Sequence, residues 1–276
     1  MSRDKYLSQL GRDERKACAP GSSADKKPEG ACVAGVRKSD SPRLFNAIAK
    51  RYDLLNYILS FGMDIGWRRR LGTLLPAGKG LRVLDIATGT ADVAIALARF
   101  QDNVGEVTGV DLAEEMLSLG RVKVERYELS GRIRLKKADA LALPFQDKMF
   151  DAVTVSFGLR NMPDLVKALM EARRVLTDGG RIIVLEFSRP SNIFMRIFHA
   201  VYLLWFVPAI GCLLTGHLSA YGYLAKTVRD FPYGDRFKRI MRQVGFVNVS
   251  CVELAFGAAT IYIAERQSKV RDARAS

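Results

Sequence analysis

Histidine is nearly absent from this chain, since His199 and His217 are the only two among 276 residues. This scarcity argues against a Ser–His–Asp triad and against a metal site built from several histidines. Cysteine is also scarce, and the four cysteines, at positions 18, 32, 212 and 251, form no CxxC pair. The usual zinc-binding spacing is therefore missing, and we expect no metal site.

Acidic residues are outnumbered, with 29 Asp and Glu against 43 Lys and Arg and a formal net charge of +14. Such a chain favours anionic partners, whether nucleic acid, acidic lipid or anionic small molecules, and charge alone does not choose among them. The first residues, MSRDKYLSQLGRDERK, lack the apolar run of a secretory signal peptide. We therefore expect a cytoplasmic protein with free thiols.

Both ends of the chain lack apolar periodicity. Residues 1–40 mix Lys, Arg, Ser, Gly, Pro and Asp, which predicts a disordered basic arm. A tether to anionic membrane or RNA is the functional alternative for this arm. Residues 267–276 resemble a second short tail, which leaves 41–266 as a single domain.

From about residue 80, short β-rich runs alternate with amphipathic stretches. The runs are LRVLDIA (81–87), EVTGVD (106–111), IRLKKAD (133–139), FDAVTVSFG (150–158) and GRIIVLEFS (180–188). The stretches between them, such as 92–100, 113–127 and 164–176, have helical periodicity. This pattern predicts a doubly wound, Rossmann-like α/β fold with a mostly parallel sheet. Residues 247–254 and 259–266 predict a closing antiparallel pair of strands.

The first strand runs into a turn of small residues. Asp85 ends the apolar run, and Gly89 is the only glycine in the turn, with Ala87 and Ala91 beside it. Small residues allow a ligand to approach the backbone, but a dinucleotide fingerprint needs three glycines. The turn therefore favours a ligand without phosphates, and a plain strand–helix turn is the alternative.

Polar residues also follow the next three strands. Asp111 could accept hydrogen bonds from ribose hydroxyls, or could instead cap the following helix. Asp139, followed by Ala140, could bind an adenine amino group, and Ser156 falls near the end of the fourth strand. Each could alone be a turn residue or a satisfied polar group. Because the carboxyl ends of parallel strands share one edge, we expect these residues to line one crevice.

Several segments together resemble the menaquinone/ubiquinone-biosynthesis C-methyltransferases, which have the class I methyltransferase fold. These segments are YDLLN (52–56), DIATGTAD (85–92), ALALPF (140–145), SFGLRN (156–161), LEFSRP (185–190), YGYL (221–224) and FP (231–232). The resemblance covers about 43–266, and SFGLRN and LEFSRP are its most specific parts. Ala91 departs from the glycine found in many members of this family.

The resemblance implies S-adenosylmethionine as the cofactor. Thr90 in the turn would contact it, Asp111 would hold its ribose, and Asp139 and Ala140 would flank its adenine. Ser156 would line the site near the reactive end. Asp85 and Gly89 belong to the same binding turn.

The resemblance also implies methyl transfer to a ring carbon of a polyprenyl hydroquinone, either a demethylmenaquinol or a polyprenyl benzoquinol. An ionised phenol makes the ring more nucleophilic, and a nearby cation lowers the phenol's pKa. We assign that cation to Arg160, with Asn161 orienting the phenolic oxygen. A surface ion pair is the alternative for Arg160.

The apolar spacing between Phe45 and Asn56 predicts helix over 43–71, and core packing would account for most of this stripe. We place the stretch as part of a helical lid over 43–78, with Tyr52 facing the site.

A long apolar segment, 193–214, lies within an insertion at 191–220. Arg196, His199, Pro208 and Gly211 interrupt it, which argues against a membrane-spanning helix. Two interpretations of this segment remain: a buried core helix, or a cover that contacts the membrane or the prenyl tail. The basic run Trp67–Arg70 could meet phospholipid headgroups, or could be a solvated helix face. We expect peripheral contact with the inner face of the membrane.

Two other functions stay open: methylation of RNA or another small molecule, and cofactor binding without activity. RNA-binding surfaces interleave aromatic and basic residues, and that signal is weak here, so no nucleic-acid partner is expected. The sequence leaves a homodimer open.

Overall fold

The computed structural model describes residues 38–268 except 61, 189, 191–222 and 224–225. Most of the expected arm, the apolar segment 193–214 and most of the carboxyl-terminal tail lie outside the described residues. Lys38–Asp40, which we placed in the arm, form a 3₁₀ turn that leads into the first helix. Among the described residues, no helix has the length and apolar character needed to cross a membrane.

In the part of the chain that the structure describes, two helices precede the sheet: α1 (Ser41–Leu59) and α2 (Met63–Gly72). The sequence predicted helix across 43–71, but the chain breaks this helix at Gly62, whose φ is +73°. The Gly62 amide donates to the Tyr57 carbonyl at 2.8 Å and so closes the turn after α1. Glycine adopts this left-handed conformation without the steric cost of a Cβ, so the break falls there.

Within the described residues, the sheet has seven strands in the order β3-β2-β1-β4-β5-β7-β6. The strands are β1 (Leu81–Ile86), β2 (Val104–Asp111), β3 (Ile133–Lys137), β4 (Phe150–Ser156), β5 (Leu176–Phe187), β6 (Phe246–Leu254) and β7 (Ala259–Arg266). β1 to β5 pair in parallel with one another, whereas β7 pairs antiparallel with both β5 and β6. The predicted mostly parallel α/β sheet with antiparallel carboxyl-terminal strands is confirmed.

Helices cover both faces of the sheet because the side chains along its strands belong to two apolar clusters, one on each face. These helices are α3 (Asp92–Phe100), α4 (Glu114–Arg126), α5 (Leu165–Val175) and α6 (Asp235–Val244). Within β1, Val83 packs on the face with α2 and α3, whereas Leu84 packs on the face with α5 and α6. Strands buried on both faces read as continuous apolar runs, which explains LRVLDIA.

The order of the strands reverses at β1, which lies between β2 and β4. The chain first moves outward from β1 to β2 and β3, and then returns to the other side of β1 at β4. The connections therefore leave in opposite directions and open a crevice at the carboxyl ends of β1 and β4. This edge carries the turn after β1 and the segment SFGLRN after β4.

Close packing of β2 against β3 depends on Gly109. A Cβ at this buried position would lie 2.6 Å from a Leu135 methyl carbon and 2.8 Å from the Thr88 hydroxyl. We expect Gly109→Ala to lower the free energy of unfolding by about 1–3 kcal/mol, the usual effect of overpacking a core. Gly131→Ala is the matched control, because its Cβ would meet no atom within 4 Å. Urea unfolding measures both, and equal stabilities would contradict this account of the packing.

Candidate active site

A cavity of about 300 Å³ lies between α1 and the carboxyl ends of the central strands. Its wall is mostly apolar and contains most of the residues that the sequence singled out. Those on the wall are Tyr52, Gly89, Asp111, Asp139, Ala140, Ser156 and Asn161. Asp85, Thr90 and Arg160 are not on the wall, and each is buried behind it. The roles of all ten residues stay predictions.

The turn after β1 has an unusual backbone. Ala87, Gly89 and Ala91 have φ values of +55°, +57° and +65°, in the left-handed region. Residues with a Cβ avoid this region, and such strain tends to persist where a binding site needs it. A Cβ on Gly89 would meet no protein atom within 4 Å, so the turn leaves open space beside the cavity.

Asp111 joins this turn to the start of α4. One of its carboxylate oxygens accepts from the Gly89 amide and the other from the Ala113 amide, both at 2.9 Å. Burial raises the pKa of this carboxyl, and the backbone N–H donors oppose that rise. Each oxygen keeps a second lone pair for a ligand hydroxyl. Asp111 lies on the cavity wall and binds the residue that precedes α4, but it is not the helix cap of the alternative interpretation, because Ala113 occupies that position.

Asp85 supports the turn from behind. Its two carboxylate oxygens accept from the hydroxyls of Thr88 and Thr154, both at 2.6 Å. Burial raises the pKa of Asp85 to about 6, although the two hydroxyl hydrogen bonds lower it. Because both oxygens bind protein hydroxyls inside the core, this carboxylate fixes the turn between β1 and β4.

Thr90 is directed away from the cavity. Its hydroxyl donates to one Asp53 carboxylate oxygen at 2.6 Å, and its side chain is buried. Asp53 lies on α1, so this contact connects the turn after β1 to the first helix. Any cofactor contact of Thr90 would therefore fall to its backbone while this hydrogen bond is made.

Arg160 forms a buried ion pair with Glu186. One guanidinium nitrogen (Nη1) lies 2.9 Å from a Glu186 oxygen and donates to the Phe157 carbonyl at 2.5 Å. The exposed fractions of the two side chains are 6% and 0%. The Arg160 amide also donates to Glu186, at 3.2 Å. The ion pair that we weighed as an alternative is therefore present, but in the interior instead of on the surface.

The environment of Arg160 contains two tyrosines. Burial raises the pKa of Tyr52 and of Tyr223, and the charge of Arg160 lowers both. Asn161 lies beside them on the cavity wall and donates to the Phe157 carbonyl at 3.2 Å. The Arg160, Asn161 and Tyr52 side chains are thus brought to one end of the cavity region.

Three buried polar atoms in this region have no hydrogen-bond partner among the described residues. They are the hydroxyl oxygen of Ser156, on the cavity wall, and two atoms off the wall, the Nε of Arg160 and the hydroxyl oxygen of Tyr223. Buried polar atoms without partners are rare because each loses its contacts with water. Of the three, Ser156 is the one on the wall, where a ligand bearing a polar group would satisfy it.

Asp139 lies on the exposed rim of the cavity. One of its carboxylate oxygens accepts from the Leu141 amide at 2.9 Å, so it closes the turn after β3. Among the described residues, the other oxygen accepts no hydrogen bond, so it is available to bind an amino group. The side chains of Phe45, Leu112 and Met116 form an apolar part of the cavity wall.

The basic run Trp67–Arg70 divides between interior and surface. Trp67 packs against Phe157, with ring centroids 6.1 Å apart. Arg68 pairs with Asp64 at 2.7 Å and with Asp92 at 3.1 Å. Only Arg69 and Arg70 are exposed. Headgroup contact and a solvated helix face both remain possible roles for Arg69 and Arg70, whereas helical periodicity directs Trp67 and Arg68 inward.

The sequence profile of the ubiE/COQ5 methyltransferase family matches residues 34–266. The chain belongs to this family. A relative, "Ubiquinone/menaquinone biosynthesis C-methyltransferase UbiE" of Geobacter sp. (strain M21), is 45% identical over 221 residues, which cover 80% of this chain and 93% of that one. The "Demethylmenaquinone methyltransferase" of Thermus thermophilus is 44% identical over 223 residues, covering 81% and 100%. The resemblance found in the sequence is confirmed.

Solved structures of other proteins have the same fold as this chain. A SAM-dependent methyltransferase from Thermotoga maritima superposes with a TM-score of 0.60 at 19% identity, covering 82% of this chain and 99% of that one. At this identity the likeness concerns the fold alone, and it confirms the class I methyltransferase architecture.

Sequence reasoning missed the charged partners of the site. Glu186 and Asp53 lie inside the segments LEFSRP and YDLLN that carried the resemblance, yet no role was assigned to either. Lys123, which binds Asp53 at 2.9 Å, had no sequence signal because the two are 70 positions apart. The sequence showed an acidic residue in each segment, but it did not show which basic residue pairs with that acid.

The buried carboxyl of Asp85 predicts a pH dependence of stability. Its folded pKa of about 6 exceeds the ordinary value of 3.8, so the folded state binds the proton more tightly. The free-energy cost of burying a charged Asp85 is therefore absent below pH 4 and fully present above pH 6. We expect Asp85→Asn to gain about 2–3 kcal/mol of unfolding free energy relative to the wild type between pH 4 and pH 7. Urea unfolding across this range measures the gap, and a gap independent of pH would refute the assignment.

Proposed function

We propose that this methyltransferase transfers the methyl group of S-adenosylmethionine to a ring carbon of a polyprenyl hydroquinone. The observation that carries the proposal is the cavity at the reversal of strand order, with the fixed Asp111 carboxylate and the unpartnered Ser156 hydroxyl on its wall. Relatives named for ubiquinone and menaquinone biosynthesis supply the substrate class.

The residues present fit the proposed cofactor. Asp111 has lone pairs left for ribose hydroxyls, and the open space at Gly89 admits a ligand close to the backbone. Asp139 and Ala140 would flank the adenine, and Ser156 would bind near the reactive end. When bound, the cofactor supplies a methyl group on a positively charged sulfur, which an electron-rich ring carbon can accept.

The chain's own contribution to the chemistry is charge and orientation. A free phenol has a pKa of about 10, so it is mostly neutral at pH 7 and a poor donor of electrons to its ring. Arg160 lies behind the cavity wall, so it would lower that pKa through the field of its charge, which stabilises the phenolate. Glu186 holds the guanidinium in place through Nη1. Because arginine stays charged, water is the proton acceptor in this proposal.

Tyr52 and Asn161 would orient the substrate ring. Burial raises the pKa of Tyr52, so its hydroxyl stays protonated at neutral pH and can donate a hydrogen bond. Asn161 lies on the same wall and can contact a phenolic oxygen. The helix α1 that carries Tyr52 would also exclude water from the reacting groups.

Peripheral contact with the inner face of a membrane would deliver the polyprenyl substrate. Large apolar side chains are exposed around the α1–α2 corner: Leu54, Tyr57, Met63 and Ile65. The exposed Arg69 and Arg70 lie on α2 and can attract anionic headgroups. Burial of these apolar side chains in the interface would add to that attraction.

A direct assay tests the proposed reaction. The purified full chain is incubated with cofactor carrying a labelled methyl group and with three separate acceptors: a prenylated naphthohydroquinone, a prenylated benzohydroquinone and bulk RNA. Mass spectrometry and NMR then locate the label. We expect a new carbon–carbon bond on a hydroquinone ring, and the preferred ring names the substrate. Label on RNA, on oxygen or on no acceptor would overturn the proposal.

The role of Arg160 is testable once its partner is neutralised. Removing the arginine alone would leave Glu186 charged and unpaired in the interior, at a cost of about 3–5 kcal/mol of stability. The informative variant is therefore Arg160→Met with Glu186→Gln, compared with Glu186→Gln alone. We expect the double variant to lose about 10²–10³-fold in turnover while keeping its cofactor affinity. Raising the pH should restore part of the loss, because the phenol then ionises unaided.

The single variant serves as the control for stability and for loss of the ion pair. It keeps the guanidinium and should retain far more turnover than the double variant. If both variants turn over equally, or if the double variant fails only in cofactor binding, Arg160 is a structural residue.

A further inference from the structure

The helix α1 forms one wall of the cavity but has a small apolar contact with the other residues that the structure describes. Its cluster with α4 has three buried members, Ala49, Ala113 and Met116, with Phe45, Tyr52 and Leu119 packed at the edge. This contact is modest beside the two clusters that cover the sheet. Polar contacts must therefore contribute to keeping α1 in place.

Lys123 on α4 supplies the densest of these contacts. Its ammonium donates to Asp53 at 2.9 Å, to the Thr90 hydroxyl at 3.1 Å and to Asp92. An ammonium has three N–H donors, and this arrangement gives each an acceptor. The three acceptors belong to α1, to the turn after β1 and to the first residue of α3. Lys123 thus lies where three elements meet.

The same cluster extends to α2. Asp92 also pairs with Arg68 at 3.1 Å, and Arg68 pairs with Asp64 at 2.7 Å. Asp64 accepts in turn from the hydroxyl of Ser60, at the end of α1, at 2.8 Å. We call these residues the Lys123 cluster: Asp53, Ser60, Asp64, Arg68, Thr90, Asp92 and Lys123.

We propose that Lys123 is a positioning residue that holds α1 against the turn after β1 and so places Tyr52 on the cofactor cavity. Asp53 directly follows Tyr52, and Thr90 directly follows Gly89. On each side of the cavity, a residue of the cluster is therefore the chain neighbour of a residue on the wall. The inference rests on the proposed function only in taking this cavity as the cofactor site.

Electrostatics gives the direction of the effect. Without the ammonium, the carboxylates of Asp53 and Asp92 lose their shared partner and repel one another across the seam between α1 and α3. The side chains are partly exposed, at 22% for Lys123, 45% for Asp53 and 23% for Asp92, so solvent screens part of this repulsion. The expected outcome is therefore looser docking of α1 with the sheet intact.

The test compares Lys123→Met with Arg121→Met in the full chain. Arg121 lies on the same helix and pairs with Glu114 at the surface, with exposed fractions of 47% and 44%. Both variants remove one positive charge from α4, but only the first removes the shared partner. Hydrogen exchange without cofactor reports docking of α1, and calorimetry with S-adenosylhomocysteine reports the cavity.

For Lys123→Met we expect amides of 41–59 to exchange at least about 10-fold faster, while β1, β2 and β4 keep their protection. That factor corresponds to about 1.4 kcal/mol, the scale of a partly exposed cluster. We expect affinity for S-adenosylhomocysteine to fall by a similar factor. Arg121→Met should change neither. Unchanged exchange in α1, or equal acceleration in α1 and the sheet, would overturn the proposal.

Asp53→Asn is the second variant and keeps the proposal testable if Lys123→Met does not fold. It removes one of the two carboxylates but preserves an oxygen for the Thr90 hydroxyl, so a smaller acceleration confined to α1 is expected. In the double variant, the two effects should be less than additive, because the repulsion is then relieved. Full additivity would show that Lys123 and Asp53 act separately and would contradict the proposal.

Failure of the proposed function would look different. A wild-type chain that does not bind S-adenosylhomocysteine would refute the assignment of the cavity. The exchange measurements need no cofactor and would still decide whether Lys123 holds α1.

Discussion

The two hydrogen bonds from the amides of Gly89 and Ala113 to Asp111 are the contact on which the site depends. They hold the turn after β1 against the start of α4, and they give both backbone N–H groups an acceptor. Ala87 and Ala91, on either side of Gly89, adopt left-handed conformations that residues with a Cβ avoid, so this turn needs such support. The cavity wall is therefore a consequence of one carboxylate at the end of β2, with Asp85 bracing the turn from the core.

Charge is distributed around the cavity in two different ways. Arg160 and Glu186 are fully interior, where ion pairs add little net stability and their geometry must be satisfied by further hydrogen bonds. The Lys123 cluster is partly exposed and links elements that share a small apolar contact. The first arrangement fixes one guanidinium behind the cavity wall, and the second connects α1 to the turn after β1.

The local patterns of the sequence were sufficient for the sheet and for the strand ends. Short apolar runs identified the five parallel strands of the described structure, and the shared edge of their carboxyl ends predicted that Asp111, Asp139 and Ser156 line one crevice, where the structure has them. The pairing of charges could not be read in the same way, because Lys123 and Asp53, or Arg160 and Glu186, meet only after the chain has folded. The break at Gly62 was missed since the apolar spacing continues across it, whereas the backbone does not.

The central claim is that the cavity binds S-adenosylmethionine with its ribose on Asp111. Calorimetric titration of S-adenosylhomocysteine into the wild type and into Asp111→Ala tests it most directly, with hydrogen exchange to verify that the sheet is retained. Loss of charge-assisted hydrogen bonds to two hydroxyls should weaken binding by about 100-fold. Equal affinity in the folded variant would contradict the claim and would place the ribose elsewhere.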